Sequence, residues 1–125
     1  MRRTSAVVWS VGVMAAALMA VPAGGAAAQD RLTDLTFTRD EPDHPVRTVT
    51  LGCDPDSGSH PNIAAACRYL AADGDLVLPE ENPDVHCIRY HPVSLHVIGT
   101  LNGRPVSAHR TYGCVVPDLP APWQF

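Results

Sequence analysis

The stretch "HCIRYHPV", His86 to Val93, is where the residue types and spacing come closest to a chemistry. Cys87 is followed after one residue by Arg89, then by Tyr90, His91 and Pro92, which leads into a strand-like run. A segment bonded covalently at its start through Cys87 and stiffened at its end by Pro92 cannot wander, and that restraint lowers the entropy cost of binding. Arg89 in such a loop is a long cation pointing outward, the shape that an acidic specificity pocket accepts in a protease that cleaves after arginine. An enzyme would need other signs. No G-x-S-x-G elbow, no H-E-x-x-H and no phosphate-cradling glycine loop occurs in the chain, so the residues point to a bound partner and not to catalysis.

The elements that would hold this loop belong to a small exported domain. Arg2 and Arg3 precede an apolar run from Ala6 to Val21, and "GGAAAQD" follows with small residues at Ala26 and Ala28, the pattern of a secretory signal cleaved before Gln29. A retained membrane anchor is the alternative, since the run approaches the lower length of a spanning helix. Cleavage is the preferred reading. Residues 1–28 are then the signal peptide and 29–125 one domain, soluble outside the cell with no membrane contact after cleavage. A domain of that size has room for one core and hides about 60 to 70% of its unfolded surface. It carries seven arginines, no lysine and all 13 acidic residues, a net charge of −6. A nucleic-acid binder needs the opposite balance, so that class is set aside.

Four cysteines, Cys53, Cys67, Cys87 and Cys114, fall in the exported part, and an even count there reads as two disulfides. Three pairings are open. Cys53 with Cys67 and Cys87 with Cys114 is the favoured one, because each bond closes a loop of moderate size and contributes about 3 kcal/mol by restricting the unfolded chain. No CxxC pair supports a zinc site, and no metal ligand set or cofactor is assigned.

Alternation in "LTFT", Leu35 to Thr38, and in Val49, Leu51 and Cys53 predicts two strands with one buried face each, joined by the polar loop "RDEPDHP". "DPDSGSHPN" reads as irregular, with Asn62 placed to cap a helix whose inner face is Ile63, Ala66, Cys67, Leu70 and Ala71 and which ends near Gly74. The acidic stretch "DGDLVLPEENPD" reads as a surface connection anchored by Leu76 to Leu78, its charge explained by solvation. From Val93 to Tyr112 two strand-like runs meet at Asn102-Gly103, the pair preferred in a two-residue type I′ turn. That register sets Leu101 opposite Arg104 and His96 opposite His109. The histidine pair reads either as a pH-responsive or metal-binding pair or, the preferred reading, as a plain cross-strand contact. Pro105 places the second strand at an edge or at its first unpaired position. The tail "VVPDLPAPWQF" is too rich in proline for a long helix, and Trp123 and Phe125 are expected to fold back onto the core.

Taken together, "RTVTLGCDPDSGSHP", "AAACRYLAADGDL", Cys87, "YHPVSLHVIGTLNGRPVSAHRTYGC" and the short tail ending in Phe125 resemble the secreted Streptomyces-type subtilisin inhibitors over nearly the whole exported part. The spacing of the four cysteines fits that family's two bridges. The resemblance implies an α+β domain in which two helices pack on a five-stranded antiparallel sheet, usually a homodimer formed through the sheet. It further implies inhibition of serine proteases, trypsin-like or subtilisin-like, by the substrate-like mechanism: an exposed loop, here Cys87, Ile88, Arg89, Tyr90 and His91, enters the active site and is cut very slowly. No enzyme activity and no cofactor follow from it.

This chain departs from the family in two places. Related sequences commonly have three residues between the third cysteine and the tyrosine-x-proline-valine; here only Ile88 and Arg89 stand there. Counting forward from Cys87 makes Arg89-Tyr90 the scissile bond, whereas counting back from Tyr90 makes it Ile88-Arg89; the first count is preferred because the disulfide sets the upstream register. The deletion shortens the loop's reach by up to about 3.5 Å. "RTYGC" is also shorter than the asparagine-containing stretch that supports the loop in relatives. The alternative to an inhibitor is therefore a non-inhibitory secreted binding or structural module that keeps the scaffold.

Overall fold

The computed structural model describes residues 31–125. The signal segment 1–28 and the first two residues of the expected domain, Gln29 and Asp30, lie outside the described residues. Two of the expected strands form as the alternation requires: β1 (Thr33–Asp40) and β2 (Arg47–Cys53) pair antiparallel, with Leu35 facing Leu51 and Phe37 facing Val49. The chain then turns back within "DPDS" and adds a two-residue strand, β3 (Ser57–Gly58), along β2. The sequence reading made this segment wholly irregular. Two residues are too few to show alternation, and the pairing is set by β2 already being in place.

The hairpin of β4 (Val93–Leu101) and β5 (Arg104–Tyr112) has the register read from Asn102-Gly103, including Leu101 opposite Arg104 and His96 opposite His109. Both turn residues have positive φ, 51° and 77°, as a type I′ turn demands. The sheet is five-stranded and antiparallel, in the order β3-β2-β1-β4-β5. Pro105 sits on the edge strand β5, where its missing donor costs no ladder bond.

One face of this sheet is buried. Leu35, Phe37, Leu51, Leu95, Val97 and Tyr112 are closed to solvent there, and α1 (Ile63–Ala71) packs alongside with Ala66, Cys67 and Leu70 inward. Ala71, the last helical residue, is exposed and not part of that face. Asn62 occupies the cap position but its side chain makes no capping bond; its own N–H donates to His60 Nδ1 at 3.0 Å instead. The helix closes as expected at Gly74, whose N–H donates to Tyr69 O at 3.0 Å beyond Asp73 in the left-handed region, the pattern of a Schellman stop.

A second α-helix is not found among the described residues, which corrects the expected count of two. The C-terminal segment forms only a 3-10 turn at Ala121–Trp123. Pro117, Pro120 and Pro122 deny it the amide donors that a longer helix would use. The turn delivers Trp123 into the core as predicted, where Phe37 meets it edge to face at 5.0 Å and Phe125 at 5.7 Å. Trp123 is completely buried.

Two disulfides, Cys53–Cys67 and Cys87–Cys114, tie opposite ends of the sheet, since Cys53 pairs with Thr33 at one end while Cys114 follows Tyr112 at the other. Trp123→Ala should destabilise the domain by about 3–5 kcal/mol, the usual cost of emptying an aromatic site in a closed core. Urea unfolding checks this, with the midpoint falling and the slope unchanged.

Candidate functional site

Val93 opens β4 directly opposite Tyr112, which closes β5. The segment entering β4 and the segment leaving β5 therefore run off the sheet side by side. Cys87 and Cys114 bridge them with their Cα atoms 5.3 Å apart, and four residues later the His91 N–H donates to Gly113 O at 3.0 Å. Both pins land on neighbouring residues, Gly113 and Cys114. Between the pins lie Ile88, Arg89 and Tyr90, all exposed, Ile88 completely so.

The sequence placed the second restraint at Pro92. In the structure the amide of His91 carries it, and Pro92 only leads into β4. Tyr90 has its ring edge over Gly113: a methyl group there would come within 2.8 Å of Tyr90 Cε2, so the glycine supplies the space. The side chain still leaves 70% of Tyr90 exposed.

Glu81 was missed. It belongs to the acidic stretch read as solvated, a reading that suits the exposed Glu80 and Asp84 but fails for this residue. One carboxylate oxygen accepts from the Gly113 N–H at 3.0 Å; the other accepts from Cys114 at 2.7 Å and Val115 at 3.2 Å. Three successive amides leaving the end of β5, donors that no strand partner takes, are thus gathered by one side chain. Tyr112 assists from inside the sheet, its hydroxyl donating to Pro79 O at 2.6 Å. Leu76 and Leu78 are buried, the anchor expected of this connection, with Val77 between them turned outward. Nothing in the local pattern marks Glu81, because its partners lie 32 to 34 residues further on.

These contacts set the local electrostatics. The amides of Gly113, then Cys114, then Val115 hold the Glu81 carboxyl below its ordinary value of 4.5, against a smaller opposing effect of burial. Burial raises the Tyr112 hydroxyl above its ordinary value; Arg110 opposes that shift and Glu81 adds to it. Chemically, the arrangement offers a short extended peptide with both ends held and a cation at its middle. It is shaped to be gripped.

The four cysteines, Ile88, Arg89, Tyr90 and His91 are where the sequence analysis put them relative to one another: Cys87 through His91 form one projecting loop, while Cys53 and Cys67 sit at the far end of the sheet. Among the described residues no helix is long and apolar enough to cross a membrane.

Comparison with known proteins gives a consistent result. The family model described as subtilisin inhibitor-like matches residues 16–114. A subtilase-type protease inhibitor of Streptomyces coelicolor is 46% identical over 71 residues, covering 54% of this chain and 49% of that protein. A subtilisin inhibitor of Streptomyces albogriseolus is 45% identical over 71 residues, with coverage of 54% and 49%. A trypsin inhibitor of Streptomyces longisporus is 42% identical over 72 residues, with coverage of 55% and 50%. The chain spans about half the length of these curated relatives. Among solved structures, sermetstatin of Streptomyces caespitosus in complex with Bacillus licheniformis subtilisin is 36% identical, covering 64% of this chain and 82% of that chain at a TM-score of 0.49.

The Glu81 contacts predict a pH dependence with a definite sign. Its pKa is lower folded than unfolded, so the native state binds fewer protons. The stabilisation is complete above the ordinary value of 4.5 and is lost as pH falls through the lowered folded-state value. Wild type should therefore exceed Glu81→Ala in stability at neutral pH and converge with it in acid. Hydrogen exchange at the Gly113, Cys114 and Val115 amides, measured across that range, should show protection disappearing in the same window.

Proposed function

Given that the chain belongs to the subtilisin inhibitor-like family, we propose that it is a secreted serine protease inhibitor that acts as a slowly turned-over substrate, with Arg89-Tyr90 as the scissile bond. The observation that carries this reading is the pinning of Ile88–Tyr90 on both sides to the one short segment Gly113-Cys114. The protease's serine attacks the Arg89 carbonyl carbon, and the bond to the Tyr90 nitrogen breaks. In a free peptide the new amine diffuses away. Here it stays, because Tyr90 is continuous with His91, whose N–H is held on Gly113 O, and with β4. The acyl group stays too, tethered through Cys87 to Cys114. An amine kept next to its acyl partner re-forms the bond far faster than a separate molecule would, which is the effective-concentration advantage of an intramolecular reaction.

Arg89 selects the target. A trypsin-like pocket carries a buried acid that an arginine satisfies, and an uncharged residue leaves that acid unpaired. The relatives include proteins named as inhibitors of trypsin and of subtilisin, so both classes are within the family's range. Glu81 answers the concern raised by the short "RTYGC" segment, since its carboxylate orders the chain on which both pins depend. Export through residues 1–28 belongs to the same proposal. So does a homodimer through the sheet, whose outer face leaves Ile98 55% exposed for a second copy to cover.

Titration of trypsin and of subtilisin with the disulfide-bonded protein tests the reading. Stoichiometric loss of trypsin activity is expected, at an affinity of about nanomolar or tighter. Arg89→Ala should weaken it by about 10⁴-fold, and Arg89→Met should shift preference toward subtilisin. Unchanged inhibition by both variants would move the specificity residue to Ile88. Rapid cleavage after Arg89 with the enzyme left active would identify a non-inhibitory module on the same scaffold.

A further inference from the structure

On the sheet face away from α1, His96 of β4 stands directly opposite His109 of β5. In a two-residue hairpin the closing pair, here Leu101 and Arg104, is a hydrogen-bonded one, and pair type alternates along an antiparallel ladder. His96–His109 lies five steps on and is therefore a non-hydrogen-bonded pair, the class whose side chains come closest together. The ring centroids are 6.2 Å apart at an interplanar angle of 62°.

That separation can be compared with chelation. A zinc–imidazole bond of about 2.1 Å places the ring centroid about 3.2 Å from the ion, so two rings sharing one ion have centroids at most about 6.4 Å apart. The observed pair already falls inside this ceiling, and rotation about the side-chain bonds brings the nitrogens nearer. The contrast with His60 is instructive. That ring is buried, with Nε2 on Pro122 O and Nδ1 accepting the Asn62 N–H, as befits a structural histidine. His109 is exposed and His96 half-exposed.

The surroundings do not oppose a cation. Flanking positions on the same face are Thr36 and Thr38 on β1, Ser94 and Ile98 on β4, and Ser107 and Thr111 on β5, none of them charged. Asp40, in register with Ser94, places a carboxylate on this face at the end of β1. The full chain is net negative, at −4. We propose that His96 and His109 together chelate a divalent transition-metal ion of the kind imidazole favours, Cu²⁺ before Zn²⁺ by the usual affinity order, with the remaining positions open to water or a further ligand.

The test is a titration of the disulfide-bonded protein with Cu²⁺ in a non-chelating buffer, read by electron paramagnetic resonance and by thermal midpoint. Saturable binding with a two-nitrogen spectrum and a raised midpoint is expected, since an ion that binds only the native state stabilises it. His96→Ala and His109→Ala should each weaken binding at least about tenfold, the low end of what losing even an outer-shell partner costs. His44→Ala, on the β1–β2 loop, should change nothing. Should an alanine variant lose its native circular dichroism, His96→Gln and His109→Gln keep the bulk and carry the same expectation. Absence of saturable binding in the wild type, or wild-type binding in folded variants of both histidines, overturns the proposal. Protease titration does not enter this readout, so the two proposals fail separately.

Discussion

Residues Gly113 to Val115 leave β5 with amides that no strand partner uses, and the organisation of the loop depends on how those amides are satisfied. A carboxylate accepting several N–H groups is among the stronger arrangements available to a protein surface, because the acceptor is charged and each donor is otherwise served only by water. Glu81 takes all three. The segment it orders then carries the sulfur bridge to Cys87 and the carbonyl that holds His91. One side chain thus fixes the platform on which both ends of a five-residue loop rest, and the exposed peptide between them has few conformations left to lose on binding.

The platform in turn depends on the sheet. Tyr112 is buried at the last position of β5, facing Val93, and its hydroxyl reaches Pro79 O, so the acidic connection is drawn against the sheet end before Glu81 makes its contacts. Leu76 and Leu78 anchor the same connection a few residues earlier. At the opposite end, Cys53–Cys67 fastens α1 to β2, and Trp123 completes the core over Phe37. A domain this small buries little apolar area per residue, so two covalent ties and one completely closed aromatic cluster carry a large share of its stability. The division leaves the loop end of the molecule free to project.

Local patterns carried much of the architecture. Asn102-Gly103 specified a turn and hence, by counting, every cross-strand pair of the β4–β5 hairpin down to His96 and His109, because a two-residue loop leaves no freedom of register. Alternation located β1 and β2, and the 3.6-residue spacing of Ile63, Ala66, Cys67 and Leu70 located α1. What had no local signature was misread. β3 is two residues long and exists only as a partner for β2; Asn62 has the right type for a cap but its side chain is not used; and the tail makes one 3-10 turn where the family resemblance implied a second helix.

The candidate site divides in the same way. From the sequence alone came the exposed Arg89, its nearness to Cys87, the pairing of Cys87 with Cys114 and the shortened loop, all properties of residues close in the chain or of a pattern of four cysteines. The tertiary structure alone decided that the second pin is the His91 amide on Gly113, that Gly113 makes room for the Tyr90 ring, and that Glu81 is a structural acceptor among solvated acids. Each of these joins residues more than 20 positions apart, and a hydrogen bond between distant segments is determined by how the whole sheet brings them together, a quantity no short window of sequence contains.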